Sequence, residues 1–306
     1  MKTLSECIKE WMVSYKLNSV KPTTYDRLET SYNALLNYSI AHIGIGDLRS
    51  EDIQNYVNRL VEDGYALSTI KKQYHLIGSF LNYANTEGIV QRPIQNGVKL
   101  PAQSAVKKKK KEVEVYSKPE QASLMKVLRT NDKVGYGAAI LMLESGMRVG
   151  EVLALSWDDV IWDRRAIRVN KTLIRLTNHH RMQVQDSAKS YTSNRTIPLS
   201  TEASRLLNKL FDNADDPHGY IFAGEDRQPI SYEALRWQIQ RACDEAHVPY
   251  KGQHVFRHTF ATNCYYRGCD VKILSKLLGH ADVAITYNVY INLFGDALEE
   301  MRSVVG

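Results

Sequence analysis

The sequence predicts a mainly α protein in two parts. An N-terminal bundle of four helices precedes a larger α-helical domain that holds a small three-stranded antiparallel sheet. Three observations predict this. Four windows in roughly the first hundred residues repeat apolar side chains at helical spacing. A run of five lysines, Lys107–Lys111, sits in a stretch with little such periodicity. Beyond it the helical pattern returns, interrupted by β-compatible runs between Ala166 and Leu199.

The first helix is read from Leu4, Ile8, Trp11, Met12 and Tyr15, which fall on one face. Tyr25, Leu28, Tyr32, Leu35 and Leu36 mark the second, with Pro22 suited to its start. Ile53, Tyr56, Val57 and Leu60 mark the third, with Ser50 as N-cap and Glu51 and Asp52 in the first turn. Ile70, Tyr74, Ile77, Phe80, Leu81 and Ala84 mark the fourth. Gly64 and Gly88 fit helix ends. The first domain is therefore expected over residues 1–103, a basic linker over 104–116, and the second domain over 117–306.

In the second domain Ser117 and Glu120 have the spacing of a capping box. The apolar segment Gly135 to Leu155 reads as helix and contains Arg148. Ala166 to Leu176, Arg181 to Gln185 and Arg195 to Leu199 are the expected strands, and helices resume near Thr201, Ser231 and His254.

Composition is that of an ordinary globular protein of 306 residues with formal charge +6. Residues 1–106 hold 11 Lys/Arg against 10 Asp/Glu; the rest hold 29 against 24. The lysine run equals that second excess, and it suits both a solvated tether and one that tracks phosphates. No apolar run approaches a membrane span, and no signal peptide is expected. Cys7, Cys243, Cys264 and Cys269 form no CxxC pair and read as reduced thiols, which predicts a cytoplasmic protein.

Certain polar residues stand out in fixed order: Arg148, Lys189, His254, Arg257, His280 and Tyr290. Two arginines to hold a phosphate, a lysine and histidines to move protons, and a tyrosine to attack suffice to break a phosphodiester without a metal. Each has a plainer reading. Arg148 could form a structural pair with Glu151, three residues on. Gly146 and Gly150 beside it suggest close packing or backbone approach. His254 and Arg257 share a helix face. His258, four residues from His254, raises a zinc site, but Val255 stands where the zinc helix motif has Glu, so His258 reads as a packed core histidine. Lys189 lies between two strand runs, with Lys171 as the competing acid. Of Tyr287 and Tyr290, one is expected to be packing.

The order of these residues, in the segments SGMRVGEVLALSWDDV, AKSYTSNRTIPLS, HVFRHTFAT and LLGHADVAITYNVY, resembles the catalytic domain of the tyrosine recombinase, or phage integrase, family. STIKKQYHLIGSFLNYANTEGIV and NGVKLP resemble its helical core-DNA-binding domain. The spacing from His280 to Tyr290 is similar to that of integrases of Gram-positive conjugative transposons. The resemblance implies that Arg148 and Arg257 clamp phosphate, with Glu151 as the supporting acid. It implies Lys189 as hairpin lysine, His254 and His280 as the site histidines, and Tyr290 as nucleophile.

It further implies a site-specific recombinase needing neither metal, cofactor nor ATP, acting through a 3′-phosphotyrosyl link to integrate or excise a mobile element. The implied partners are duplex DNA recombination sites, an accessory DNA-bending or excision factor, and copies of the chain, monomeric in solution and tetrameric on DNA. Lys107, Lys108, Lys109, Lys110 and Lys111 are the expected phosphate-tracking residues. Leu293, Phe294, Ala297, Leu298 and Met301 could form one apolar helix face for docking on a neighbour. No separate arm-binding domain is expected. A type IB topoisomerase-like strand transferase and a non-cleaving DNA-binding regulator are the alternatives.

Overall fold

The computed structural model describes residues 1–106, 113–130, 133–179, 181–186 and 194–290, with residues 288–290 described by backbone alone. The chain divides into two compact units, Met1–Lys111 with Arg175–Arg181, and Glu112–Ile174 with Met182–Gly306. Among the described residues no helix is long and apolar enough to cross a membrane. The lysine run and the expected tail face lie outside the described residues.

The first unit is a helical bundle of α1 (Leu4–Trp11), α2 (Pro22–Leu35), α3 (Ser50–Glu62) and α4 (Leu67–Thr86). Thr3 and Glu6 form a capping box at α1. Leu4, Ile8, Trp11, Ile53, Val57, Leu60, Ile70, Ile77, Phe80 and Leu81 fill its core. The expected face of the first helix fails at Tyr15, which is half-exposed and packs on the Tyr83 ring at 4.5 Å. The cause is a π turn over Met12–Lys16, which rotates the helix face away from the 3.6-residue register. Leu36 likewise falls after α2 and is partly exposed. The cap of α3 is Arg49, whose N–H donates to Asp52 Oδ2 at 2.8 Å. Ser50, expected as the cap, instead donates from Oγ to the Ile94 carbonyl at 2.6 Å. Of the expected linker, Val106 packs on the first core and Tyr116 is buried in the second.

The second unit opens with α5 (Lys118–Arg129), whose Ser117–Glu120 capping box forms. The apolar segment that follows is not one helix. α6 (Val134–Ser145) is buried on nearly every side and is the core of the unit. It stops at Gly146, and the short α7 (Val149–Leu153) begins after Arg148.

A three-stranded antiparallel sheet forms, but its members differ from those expected. β1 (Val160–Ile161), which the sequence reading did not include, joins β2 (Ala166–Val169) and β5 (Arg195–Pro198), with Ile167 opposite Ile197, and the run from Arg181 lies in a second sheet. The run expected as one strand from Ala166 to Leu176 splits at Asn170. Its second half, β3 (Lys171–Leu176), pairs instead with β4 (Arg181–Asp186). α8 (Thr201–Phe211), α9 (Tyr232–Glu245), α10 (His254–Tyr266), α11 (Val271–Leu278) and α12 (Val283–Tyr290) follow. α10 packs on α6 and α11 packs on α10, so both stand beside the break at Gly146.

Ser117→Ala removes the acceptor for the Glu120 N–H and is expected to lower unfolding free energy by about 1 kcal/mol. Urea unfolding followed by helix content measures this. An unchanged midpoint contradicts the assigned cap.

Candidate active site

The α6–α7 break presents Arg148. Gly146 ends α6 at φ 66°, and a Cβ there would collide with the Phe260 ring. Gly150 allows a close approach instead: a Cβ there would lie 2.6 Å from the Leu173 carbonyl. Arg148 therefore stands between two helices at positions where side chains are refused on either side. Its own N–H and its Nη1 donate to the Glu151 oxygens at 2.8 and 2.9 Å. Its side chain stays 40% exposed.

Glu151 is buried and bridges two arginines. Arg195 Nη1 and Nη2 donate to its oxygens at 3.0 and 2.8 Å, in addition to the bonds from Arg148. Burial pushes the carboxyl upward. The Arg195 bonds and charge, then the charge of Arg148, outweigh burial and hold it at about 2. The structural Arg148–Glu151 pair is real, and it leaves Arg148 open to solvent.

The C-terminus of α11 gathers three arginines from three other elements. Arg195 Nε donates to the Leu277 carbonyl at 2.6 Å. Arg257 Nη2 donates to the Leu278 carbonyl at 2.7 Å. Arg148 Nη2 donates to the Gly279 carbonyl at 3.0 Å. The last carbonyls of a helix lack partners within it and carry the negative end of its dipole, so cations satisfy them in both respects. Arg257 is buried, and its Nη1 also donates to the Gly146 carbonyl at 2.9 Å, which ties α10 to the break.

His280 follows directly. Arg257 Nη2 lies 2.9 Å from His280 Nε2, and a guanidinium only donates, so Nε2 accepts. The ring proton is then on Nδ1, 2.8 Å from Thr286 Oγ1 of α12. Burial, then Arg257, Arg148 and Arg195, push His280 down to about 4, consistent with this neutral form. His254, at the start of α10, is lowered by desolvation and then by Arg257 and Arg148, although its outer surface is exposed. His258 is pushed down to about 4 by burial, then by His254 and Arg257.

Arg148, Glu151, His254, Arg257 and His280 thus converge in one corner of the second unit. Lys189 lies outside the described residues. Tyr290 ends α12, and its side chain is likewise not described; Tyr287, one turn earlier, is half-exposed. Lys171 is engaged elsewhere, at 2.8 Å from the buried Asp159 carboxylate and 2.7 Å from Ser156 Oγ. Among the described residues the one trio of potential metal ligands is Asp26, Glu29 and His179, which includes neither His254 nor His258. The sequence reading missed Arg195 and Thr286. The available signal for Arg195 was its place at the head of a strand whose Ile197 is buried in the core, where an inward-facing cation needs an acid.

Residues 114–295 match the model described as Phage integrase family, and residues 3–61 match Phage integrase, N-terminal SAM-like domain. A protein of Caldanaerobacter subterraneus subsp. tengcongensis named Tyrosine recombinase XerC-like is 27% identical over 312 residues, covering 95% of this chain and 79% of the relative. The fold is similar to that of the Tn1549 transposon integrase in complex with transposon right end DNA, with TM-score 0.80, 18% identity and 100% of both chains covered. It is also similar to lambda integrase in a tetramer bound to a Holliday junction, with TM-score 0.66, 16% identity, 94% of this chain and 77% of that one.

The lowered Glu151 carboxyl stabilises the fold above its ordinary value of 4.5, and that contribution is lost as pH falls towards 2. The shift corresponds to about 3 kcal/mol. The unfolding free-energy difference between wild type and Glu151→Gln should shrink by about that amount across this window. A difference that stays constant with pH contradicts the paired carboxylate.

Proposed function

The chain belongs to the phage integrase family, and on that premise we propose that it is a site-specific DNA recombinase that integrates or excises a mobile element. The observation that carries the reading is the pair Arg148 and Arg257, bonded to successive carbonyls at one helix end with His280 beside them. Two fixed guanidiniums at one point suit a single phosphate.

In this reading Arg148 and Arg257 hold the non-bridging oxygens of the scissile phosphate. They stabilise the added negative charge of the pentacoordinate transition state. The Tyr290 hydroxyl attacks phosphorus, and the bond from phosphorus to the 5′-oxygen breaks, leaving a 3′-phosphotyrosyl link. His254, neutral at ordinary pH by its lowered basicity, accepts the tyrosine proton. Lys189 gives a proton to the departing 5′-oxygen. His280 accepts from Arg257, which favours a role in orienting that arginine. The 5′-hydroxyl of another strand then attacks the phosphotyrosine, releasing Tyr290. One phosphodiester replaces another, so no ATP is consumed, and the arginines supply the charge that a metal supplies elsewhere.

Both units bind the duplex, and Lys107–Lys111 track its phosphates. Affinity then falls steeply with salt. By analogy with the lambda integrase tetramer, copies of this chain assemble as a tetramer on DNA, with the segment after Tyr290 docking on a neighbour and an accessory DNA-bending or excision factor setting direction.

A suicide duplex carrying a site selected by this protein from a random-sequence pool tests the chemistry. Wild type should form a covalent adduct in EDTA, with the nucleotide on Tyr290 by mass spectrometry. Tyr290→Phe should bind the duplex and form none. A nucleotide on Tyr287, or an adduct that requires added Mg²⁺, contradicts the mechanism.

A further inference from the structure

The structure assigns Arg195 as a positioning residue for the cleavage reaction, holding Arg148 and the end of α11 in the geometry that accepts a phosphate. This rests on the recombinase reading above. Arg195 opens β5 and is fixed by the sheet, where it pairs with Val169 of β2. From that anchor its guanidinium reaches two other elements. Two nitrogens grip both oxygens of Glu151 in α7, and the third donates to the Leu277 carbonyl of α11. Its side chain is only 8% exposed, so these protein bonds, not solvent, define its place.

The arrangement uses all three nitrogens of the planar group, which an ammonium cannot reproduce. Its consequence concerns Arg148. Glu151 has two oxygens, and Arg195 occupies both, while Arg148 shares one through Nη1. Without Arg195, Glu151 is free to take Arg148 in a bidentate grip and draw it from the Gly279 carbonyl. The Leu277 carbonyl would also lose its donor at the helix end that carries the partners of Arg257 and Arg148.

The role predicts a split between binding and cleavage. On the suicide duplex in a single turnover, Arg195→Lys should form adduct about 10²-fold more slowly, the scale of a displacement near 1 Å. Its Kd for the same duplex should stay within about threefold, because the charge is kept and the other phosphate contacts remain. Adding Glu151→Gln to Arg195→Lys should cost less than about tenfold more, since the two act through one contact.

Thermal unfolding checks that Arg195→Lys is folded. Should it not be, the neutral double variant Glu151→Gln with Arg195→Gln removes both charges of the pair and should show the same split. Cleavage within about threefold of wild type by a folded variant overturns the inference, as does a Kd that rises in step with the lost cleavage. Absence of adduct with the wild type overturns the recombinase reading and this inference with it. Adduct formed equally by wild type and variant overturns this inference alone.

Discussion

The carboxyl end of α11 is the constraint on which the candidate site depends. An eight-residue helix ends at Leu278, and its last carbonyls need donors. They receive them from a strand, from α10 and from the turn before α7, one guanidinium to each of Leu277, Leu278 and Gly279. The helix end thereby gathers the preceding helix and two elements distant in sequence. The opposite end is closed locally, with Asp270 Oδ1 accepting from the Lys272 and Ile273 N–H groups at 2.9 and 3.1 Å.

Clustered guanidiniums repel one another, and the buried Glu151 carboxylate and backbone carbonyl dipoles offset this. Glu151 offsets Arg148 and Arg195 at close range. The Gly146 and Leu278 carbonyls both receive Arg257, which orients its guanidinium. The surrounding histidines register the resulting field, being held below their ordinary values by burial and by these arginines. A fixed positive corner with little reorganisation left to do is what stabilises charge that appears only in a transition state.

Much of this was readable in the sequence, because helix amphipathicity and capping are local. Ile53 to Leu60 and the Ser117–Glu120 box needed only spacing. The resemblance named Arg148, Glu151, His254, Arg257 and His280, which the structure gathers in one corner; Lys189 and the Tyr290 side chain lie outside the described residues. What escaped was set by tertiary structure. The π turn that exposes Tyr15 and the exchange of pairing at Asn170 leave no periodic signature. Apolar composition concealed the break at Gly146, because α6 is buried all round and its sequence carries no face. Arg195 escaped for a different reason: its acid, Glu151, was already assigned to a nearer arginine, and spacing cannot show one carboxylate serving two.

The central claim is that Arg148 and Arg257 together clamp the scissile phosphate. Single-turnover cleavage of the suicide duplex by Arg148→Ala and by Arg257→Ala, beside duplex affinity, tests it most directly. The account predicts that each folded variant loses about 10²–10³-fold in cleavage, the scale of one lost transition-state donor, with far smaller loss of binding. Cleavage at near the wild-type rate by either folded variant would contradict it.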